Sequence, residues 1–239
     1  MTSWSTVQRT AYIEVLHTSA KFHKCMSAPV KISSGKVVLE GDLTLPRQGR
    51  GIVVFAHGSG SSRHSPRNRR VARVLQDAGL ATLLMDLLTV EEEAVDIRTA
   101  HLRFDIGLLA ERLAGATDWL TENDLTQHLN IGYFGASTGA AAALVAAAER
   151  RGAVKAVVSR GGRPDLAFDY LPKVKAPTLL IVGGDDEPVI GMNRDAMEKM
   201  KAQCKLVIVP GATHLFEEPG KLDEVAKLAR DWFLRYLGS

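Results

Sequence analysis

The sequence predicts an α/β fold, a mostly parallel β-sheet with helices on both faces. Three observations carry this prediction. From residue 51 onward, short apolar segments alternate with longer segments whose apolar residues recur at helical spacing. The short segments are nearly continuous in Val, Ile, Leu and Ala, which is typical of parallel strands covered on both faces. A chain of 239 residues with 46% hydrophobic content is also long enough for one domain with a sizeable core.

Each element has its own signal along the chain. The apolar segments on either side of Ser34-Gly35 predict a β-hairpin over 29–45. A helix is expected over 67–79, with one apolar face and Gly79 at its end. The other strands are predicted at 51–58, 80–86, 129–135, 154–162, 176–184 and 204–211. The other helices are predicted at 104–123, 137–151, 191–202 and 221–238.

Residues 1–27 stand outside this alternation and are interpreted as an N-terminal extension. Apolar residues at helical spacing from Trp4 to Leu16 favour a short amphipathic helix, and polar interruptions argue against a signal peptide. Residues 28–239 are expected to form a single domain, because no repeat, low-complexity segment or linker divides them.

Composition narrows the classes of partner and location. No apolar run is long enough for a membrane span, so no membrane association is expected. The net charge of +3 is small, and the basic residues between 63 and 73 lack interleaved aromatic residues, so no nucleic-acid partner is predicted. The expected location is the cytoplasm, where Cys25 and Cys204 would be free thiols.

One serine lies at a predicted strand-to-helix junction between two glycines, in Gly135-Ala136-Ser137-Thr138-Gly139. A strand that turns at once into a helix brings two backbones together and holds the central residue in a strained conformation. Side chains at the flanking positions would collide, which explains the glycines. Read alone, the pentapeptide is equally compatible with an N-cap serine that opens an ordinary helix.

A serine is a weak nucleophile unless a base accepts its proton. Among seven histidines, His214 follows the last predicted strand and therefore lies at the carboxyl edge of the sheet. A third group must orient that base, and acidic residues follow the strand predicted at 176–184. Of these, position favours Asp186 over its neighbour Asp185.

The loop after the strand at 51–58 is rich in glycine and serine, so its backbone N–H groups are exposed. We expect the N–H groups of Ser59 and Thr138 to hold the negative oxygen that forms during acyl transfer. His57 begins this loop. It is interpreted either as a structural residue that fixes the loop by hydrogen bonds or as a substrate contact.

Basic and aromatic residues near the predicted site supply candidate substrate contacts. Arg63 is the member of the 63–73 cluster nearest the oxyanion loop, although a solvated helix face is the simpler interpretation of that cluster. Arg160 and Arg163 follow another strand, so an anionic acyl group is a hypothesis. The connection from 161 to 176 is too short for a large cap domain, and Phe168 within it is a candidate wall for the acyl group.

These motifs together resemble the α/β-hydrolase superfamily, most closely its small dienelactone-hydrolase-like branch. The resemblance covers residues 28–239 and rests on the sequences HGSGSS, GASTG, GGDDEPV and GATHLFEEPG. It implies a mixed eight-stranded sheet, with Ser137 as nucleophile, His214 as base and Asp186 as its partner. It implies neither a metal nor a cofactor. Enzymes that open dienelactones typically use cysteine as nucleophile, so Ser137 favours general ester hydrolysis.

The sequence therefore predicts a serine hydrolase for small or short-chain carboxylic esters, acting as a monomer or homodimer. Transfer of the acyl group to an alcohol, amine or thiol remains open, as does cleavage of thioesters or amides. A binding module on a hydrolase scaffold is disfavoured, because such proteins usually lose part of the triad. Dinucleotide binding is disfavoured because Arg63 stands where the glycine-rich fingerprint needs a third glycine.

Overall fold

The structure is a computed structural model that describes residues 25–47 and 49–238. The helix predicted near the N-terminus lies outside these residues. The strands are β1 Cys25–Ser34, β2 Val37–Pro46, β3 Ile52–Ala56, β4 Ala81–Met85, β5 Ile131–Ala136, β6 Val154–Arg160, β7 Thr178–Gly183 and β8 Cys204–Val209. The α-helices are α1 Pro66–Asp77, α2 Val90–Thr99, α3 Ile106–Glu122, α4 Thr138–Glu149, α5 Glu187–Lys199 and α6 Lys221–Leu237.

All eight described strands form one sheet in the order β1-β2-β4-β3-β5-β6-β7-β8. β2 pairs antiparallel with β1 and β4, and every other pair is parallel. The predicted α/β fold with a mostly parallel sheet is therefore confirmed. Parallel strands end at the same edge, so the loops after β3, β5, β6, β7 and β8 lie along the carboxyl edge of the sheet, where α/β folds bind ligands.

Helices cover both faces of the sheet, as predicted. Apolar residues of α3 and α4 pack on one face, and those of α1 and α6 pack on the other. The central strands β3 and β5 are buried at every position. Helix α4 is buried from Thr138 to Ala148, and its alanines let it lie close to the strands beneath it. The helix that starts at Ser137 is thus held tightly against the sheet.

The structure adds α2 between the strand predicted at 80–86 and the helix predicted at 104–123, where the sequence predicts no element. Its start is a capping box, in which the Glu92 N–H donates to Thr89 Oγ1 at 3.2 Å and the Thr89 N–H donates to Glu92 Oε2 at 2.8 Å. Glu92 also pairs with the Arg112 guanidinium of α3 at 2.8 Å. The capping box and this ion pair order the acidic segment as a helix.

The segment between β6 and β7 contains two short 3₁₀ turns, Pro164–Ala167 and Leu171–Lys173, and no cap domain. Cys25 and Cys204 are both free, as expected. Within residues 25–47 and 49–238, no helix has the length and apolar character that crossing a membrane requires.

Candidate active site

The turn between β5 and α4 holds Ser137 at a positive φ of 51°, with ψ at −119°. Residues other than glycine rarely adopt this backbone conformation, so Ser137 is strained. A Cβ atom at Gly135 would lie 2.4 Å from the Ala140 Cα, and one at Gly139 would lie 2.4 Å from the Ala56 carbonyl oxygen. Both glycines are therefore steric requirements of the turn, as the sequence predicts.

Two backbone hydrogen bonds fix the strained serine against the end of β6. The Ser137 N–H donates to the Arg160 carbonyl at 3.2 Å, and the Ser137 carbonyl accepts from the Arg163 N–H at 3.2 Å. The side chain of Ser137 carries no capping hydrogen bond to its own helix. This argues against the N-cap interpretation, because an N-cap serine would accept a hydrogen bond from the first turn.

His214 and Asp186 lie at the same edge and contact each other. His214 Nδ1 is 2.6 Å from Asp186 Oδ2, and the Asp186 side chain is only 15% exposed. A proton on Nδ1 that is donated to Asp186 leaves Nε2 of the imidazole as an acceptor. Asp185 is exposed and forms no hydrogen bond with His214. The geometry therefore agrees with the prediction that Asp186 is the partner of the histidine.

The loop that carries His214 is tied closely to the loop that carries Asp186. The Asp185 N–H donates to the Ala212 carbonyl at 3.0 Å, and a Cβ atom at Gly183 would lie 2.3 Å from the same oxygen. His214 and Ser137 both line a pocket of about 190 Å³ at the carboxyl edge. The serine, the imidazole and its carboxylate partner are thus brought to one place from three separate strand ends.

The two predicted oxyanion donors lie side by side. Ser59 Oγ and Thr138 Oγ1 are 3.0 Å apart and hydrogen-bonded, which joins the loop after β3 to the first residue of α4. Among the described residues, the backbone N–H groups of Ser59 and Thr138 have no hydrogen-bond partner. A Cβ atom at Gly58 would come within 3.2 Å of the Ser137 Cβ, so glycine there permits the close approach of the two segments.

His57 fixes the loop after β3 and does not line the pocket that contains Ser137. Its Nδ1 is 3.0 Å from the Gly58 carbonyl, and its Nε2 accepts the Leu87 N–H at 3.1 Å. Nδ1 therefore carries the proton. Burial lowers the pKa of His57, which keeps the imidazole neutral. Of its two interpretations, the structure supports the structural one.

Three residues predicted as substrate contacts lie elsewhere. The Arg63 guanidinium pairs with Asp86 and, at 2.6 Å, with Glu40. Arg163 forms a two-point pair with Asp165, with N···O distances of 2.9 and 2.8 Å. Neither arginine lines the pocket that contains Ser137. The structure therefore offers no support for their predicted role, because their charges are already neutralised.

Phe168 is the third residue predicted as a substrate contact that lies outside the pocket of Ser137. The residue is 37% exposed, and the nitrogen of the Lys199 ammonium group lies over its ring, 5.7 Å from the ring centre. It does not line the pocket that contains Ser137, so the predicted acyl wall is not formed there. Leu215, the residue after His214, does line the pocket and supplies an apolar contact that the sequence analysis did not single out.

Two arginines line the pocket beside Ser137, namely Arg160 and Arg67. Arg160 was expected near the mouth because it ends a strand, whereas Arg67 was assigned to a solvated helix face. Burial, together with the nearby charge of Arg67, lowers the pKa of Arg160 to about 10. It therefore remains charged at neutral pH. Within the described part of the chain, no group of three or more metal-ligating side chains is arranged to hold a metal ion.

Comparison with known proteins agrees with the fold described above. The model of the dienelactone hydrolase family matches residues 39–237. A solved structure of a dienelactone hydrolase from Anabaena variabilis is 67% identical and superposes with a TM-score of 0.89, over 90% of this chain and 100% of that one. Est1E from Butyrivibrio proteoclasticus superposes with a TM-score of 0.73 at 19% identity, over 87% of this chain and 98% of that one, which shows the shared fold alone.

A curated relative from Mycobacterium tuberculosis carries the name "Putative phosphoribosyl transferase". It is 61% identical over 208 residues, which are 87% of this chain and 46% of the relative. The chain thus spans about half the length of the curated relatives that it matches. Since the family model covers most of the chain and the fold agrees throughout the described residues, the chain belongs to the dienelactone hydrolase family of α/β hydrolases.

Proposed function

We propose that this protein is a serine hydrolase that cleaves small or short-chain carboxylic esters through an acyl-enzyme on Ser137. One observation carries the proposal. Ser137 sits on a strained turn in the same pocket as His214, and Asp186 holds the imidazole of His214 by its other nitrogen at 2.6 Å. This is the arrangement of nucleophile, base and orienting acid that acyl transfer requires.

In the proposed first half-reaction, His214 Nε2 accepts the hydroxyl proton of Ser137 while Oγ bonds to the ester carbonyl carbon. The carbonyl electrons move onto oxygen, and the N–H groups of Ser59 and Thr138 donate to the resulting anion. Loss of one such donor typically costs about 3 to 4 kcal/mol of activation free energy. The C–O bond then breaks, and the imidazolium gives its proton to the leaving alcohol.

The second half-reaction repeats these steps with water. His214 accepts a proton from water while the water oxygen attacks the acyl-serine. The tetrahedral anion then collapses, the bond from carbon to Ser137 Oγ breaks, and the imidazolium returns its proton to Oγ as the acid is released. Throughout, Asp186 fixes the Nδ1–H tautomer and stabilises the imidazolium. Besides the ester and water, every reacting group in these steps is a residue of the chain.

The shape of the site supports small substrates. The pocket of about 190 Å³ is below the usual range for drug-sized ligands, about 300 to 1,000 Å³. The segment between β6 and β7 forms only short 3₁₀ turns and adds no long apolar wall beside Ser137. Long acyl chains would therefore remain in water and gain little from binding.

The proposal is tested with a series of p-nitrophenyl esters of increasing acyl length, with Ser137→Ala as the control. We expect kcat/KM to be highest for acetyl to butyryl esters and to fall steeply for longer chains, because added methylenes find no apolar surface. An increase of kcat/KM with chain length would contradict the small-pocket account. Turnover by Ser137→Ala equal to the native rate would contradict the assignment of the nucleophile.

Phosphoribosyl transfer, the activity in the name of the mycobacterial relatives, is not proposed for this chain. Those relatives are about twice as long, and their name describes the whole protein. The site described above is built around a hydroxyl nucleophile with its base and acid. That set of groups suits attack on a carbonyl carbon.

A further inference from the structure

Arg160 is a buried charge without a partner. Its side chain is at the carboxyl end of β6 and the residue is only 6% exposed. Among the described residues it forms no ion pair and no side-chain hydrogen bond, and its Nε atom is buried with no acceptor. Burying an unpaired charge costs several kcal/mol, so proteins rarely keep one without a use.

The position of Arg160 indicates what that use is. Its side chain lines the pocket that contains Ser137 and His214, and its backbone carbonyl accepts the N–H of the nucleophile at 3.2 Å. The guanidinium therefore lies in the same pocket as the reacting hydroxyl. A group bound to it would be held next to the ester under attack.

The start of α1 lines the same pocket as Arg160. The N-cap residue Ser65 and the first-turn residues Arg67 and Asn68 all line the pocket. The positive end of the helix dipole therefore faces the same space as Arg160.

The charge of the pocket is positive. Arg67 Nη1 pairs with Glu217 at 2.7 Å, but that carboxylate is 61% exposed, and Arg67 Nε has no partner in the described part of the chain. No aspartate or glutamate is among the residues that line the pocket. An exposed ion pair is weak in water, so Glu217 neutralises little of the charge that a bound anion would meet.

We propose that Arg160, together with Arg67 and the start of α1, binds a phosphate group carried by the ester substrate. The donors are two guanidinium groups, and the positive end of the α1 dipole adds to the attraction for an anion. A phosphate monoester has three acceptor oxygens and nearly two charges, so it matches this set better than a planar carboxylate does. The inference rests on the proposed ester hydrolysis at Ser137.

The kinetic test uses three acetyl esters at constant ionic strength, with acetate release as the readout. They are 1-acetylglycerol 3-phosphate, the neutral 1-acetylglycerol and the carboxylate 4-acetoxybutanoate. We expect kcat/KM for the phosphate to exceed that for the neutral ester by about 10-fold to 100-fold, as typical of charge-assisted hydrogen bonds. Hydrolysis of the neutral ester without a gain for the phosphate would overturn the inference and leave the proposed function intact. A preference for the carboxylate over the phosphate would also overturn it.

Substitutions of Arg160 test whether the preference for the phosphate ester depends on this residue. Arg160→Met should remove most of the phosphate preference, whereas Arg160→Lys should retain part of it, because lysine keeps the charge without the planar fork. Arg73→Met, an exposed position on the same helix as Arg67, should retain it fully and is the matched control. An equal loss on neutral and phosphate esters in both Arg160 variants would indicate a structural role and overturn the inference.

A binding measurement separates the anion site from catalysis. Titration of the Ser137→Ala protein with inorganic phosphate by calorimetry should give saturable binding that Arg160→Met abolishes in the same background. Sodium chloride at equal ionic strength should give none. Since this readout needs no turnover, it holds even if the ester series shows no activity, in which case the proposed function alone has failed. Absence of saturable phosphate binding would overturn the inference.

Discussion

Replacing Ser137 by alanine is expected to lower kcat for p-nitrophenyl acetate by about 10⁴-fold to 10⁶-fold. The hydroxyl is the only atom group removed, and the oxyanion donors and the pocket remain. What activity is left would come from those donors acting on water. The measurement is initial rate under saturating substrate, with thermal unfolding recorded for both proteins.

The stability comparison makes this prediction specific. Alanine keeps the strained positive φ of position 137, so Ser137→Ala should unfold close to the native temperature, whereas Ser137→Gly should unfold at a higher one because glycine relieves the strain. Ser33→Ala, at an exposed position of β1, is the control and should have native activity. A fall in activity no larger than that of this control would contradict the assignment.

Replacing Asp186 by asparagine is the second prediction with a large effect, and kcat should fall by about 10⁴-fold. Asparagine has the shape of aspartate but presents no carboxylate to His214 Nδ1, now 2.6 Å from Asp186 Oδ2. The imidazole then favours the tautomer with its proton on Nε2, which cannot accept from the serine. The measurement is kcat against pH for the native and variant enzymes.

Asp185 offers a matched control for this substitution. It is adjacent in sequence and exposed, and its backbone N–H holds the same loop by its bond to the Ala212 carbonyl. Asp185→Asn leaves that backbone bond in place and should retain native kcat. Equal losses in the two variants would mean that the loop as a whole, rather than the carboxylate of Asp186, supports activity.

The positions of Ser137, Asp186 and His214 could be predicted because they depend on topology. Each follows an apolar strand, and parallel strands deliver their following loops to one edge. The roles of Gly135 and Gly139 could be predicted for a similar reason, because a close approach of two backbone segments leaves no room for a side chain. Local pattern and sheet geometry were sufficient for these features.

The roles of the arginines could not be predicted from local motifs, because they depend on which carboxylates each guanidinium reaches in the folded chain. Arg63 is nearest the oxyanion loop along the chain, but Glu40 and Asp86 neutralise it. Arg160 has a similar sequence context to Arg163, yet only Arg163 finds a carboxylate, in Asp165. Whether a guanidinium stays unpaired in the pocket depends on the carboxylates that the fold brings to it. A local sequence motif does not determine this.

Helix α2 was missed for a different reason. Its sequence is acidic and weakly apolar, so hydrophobic periodicity carries little signal there. The Thr89 and Glu92 pair was the signal that could have found it, because threonine followed three residues later by glutamate marks a helix start. The ion pair between Glu92 and Arg112 adds a contact that only the tertiary structure reveals.

The most direct test of the central claim is the mass of the enzyme during turnover. Native enzyme is incubated with excess p-nitrophenyl acetate, quenched in acid within the first turnovers and digested. We predict a peptide that gains the mass of one acetyl group on Ser137 in the native enzyme, and no such peptide in the Ser137→Ala variant. Acetylation of another residue, or an acetylated peptide of equal yield in the Ser137→Ala variant, would contradict an acyl-enzyme on Ser137.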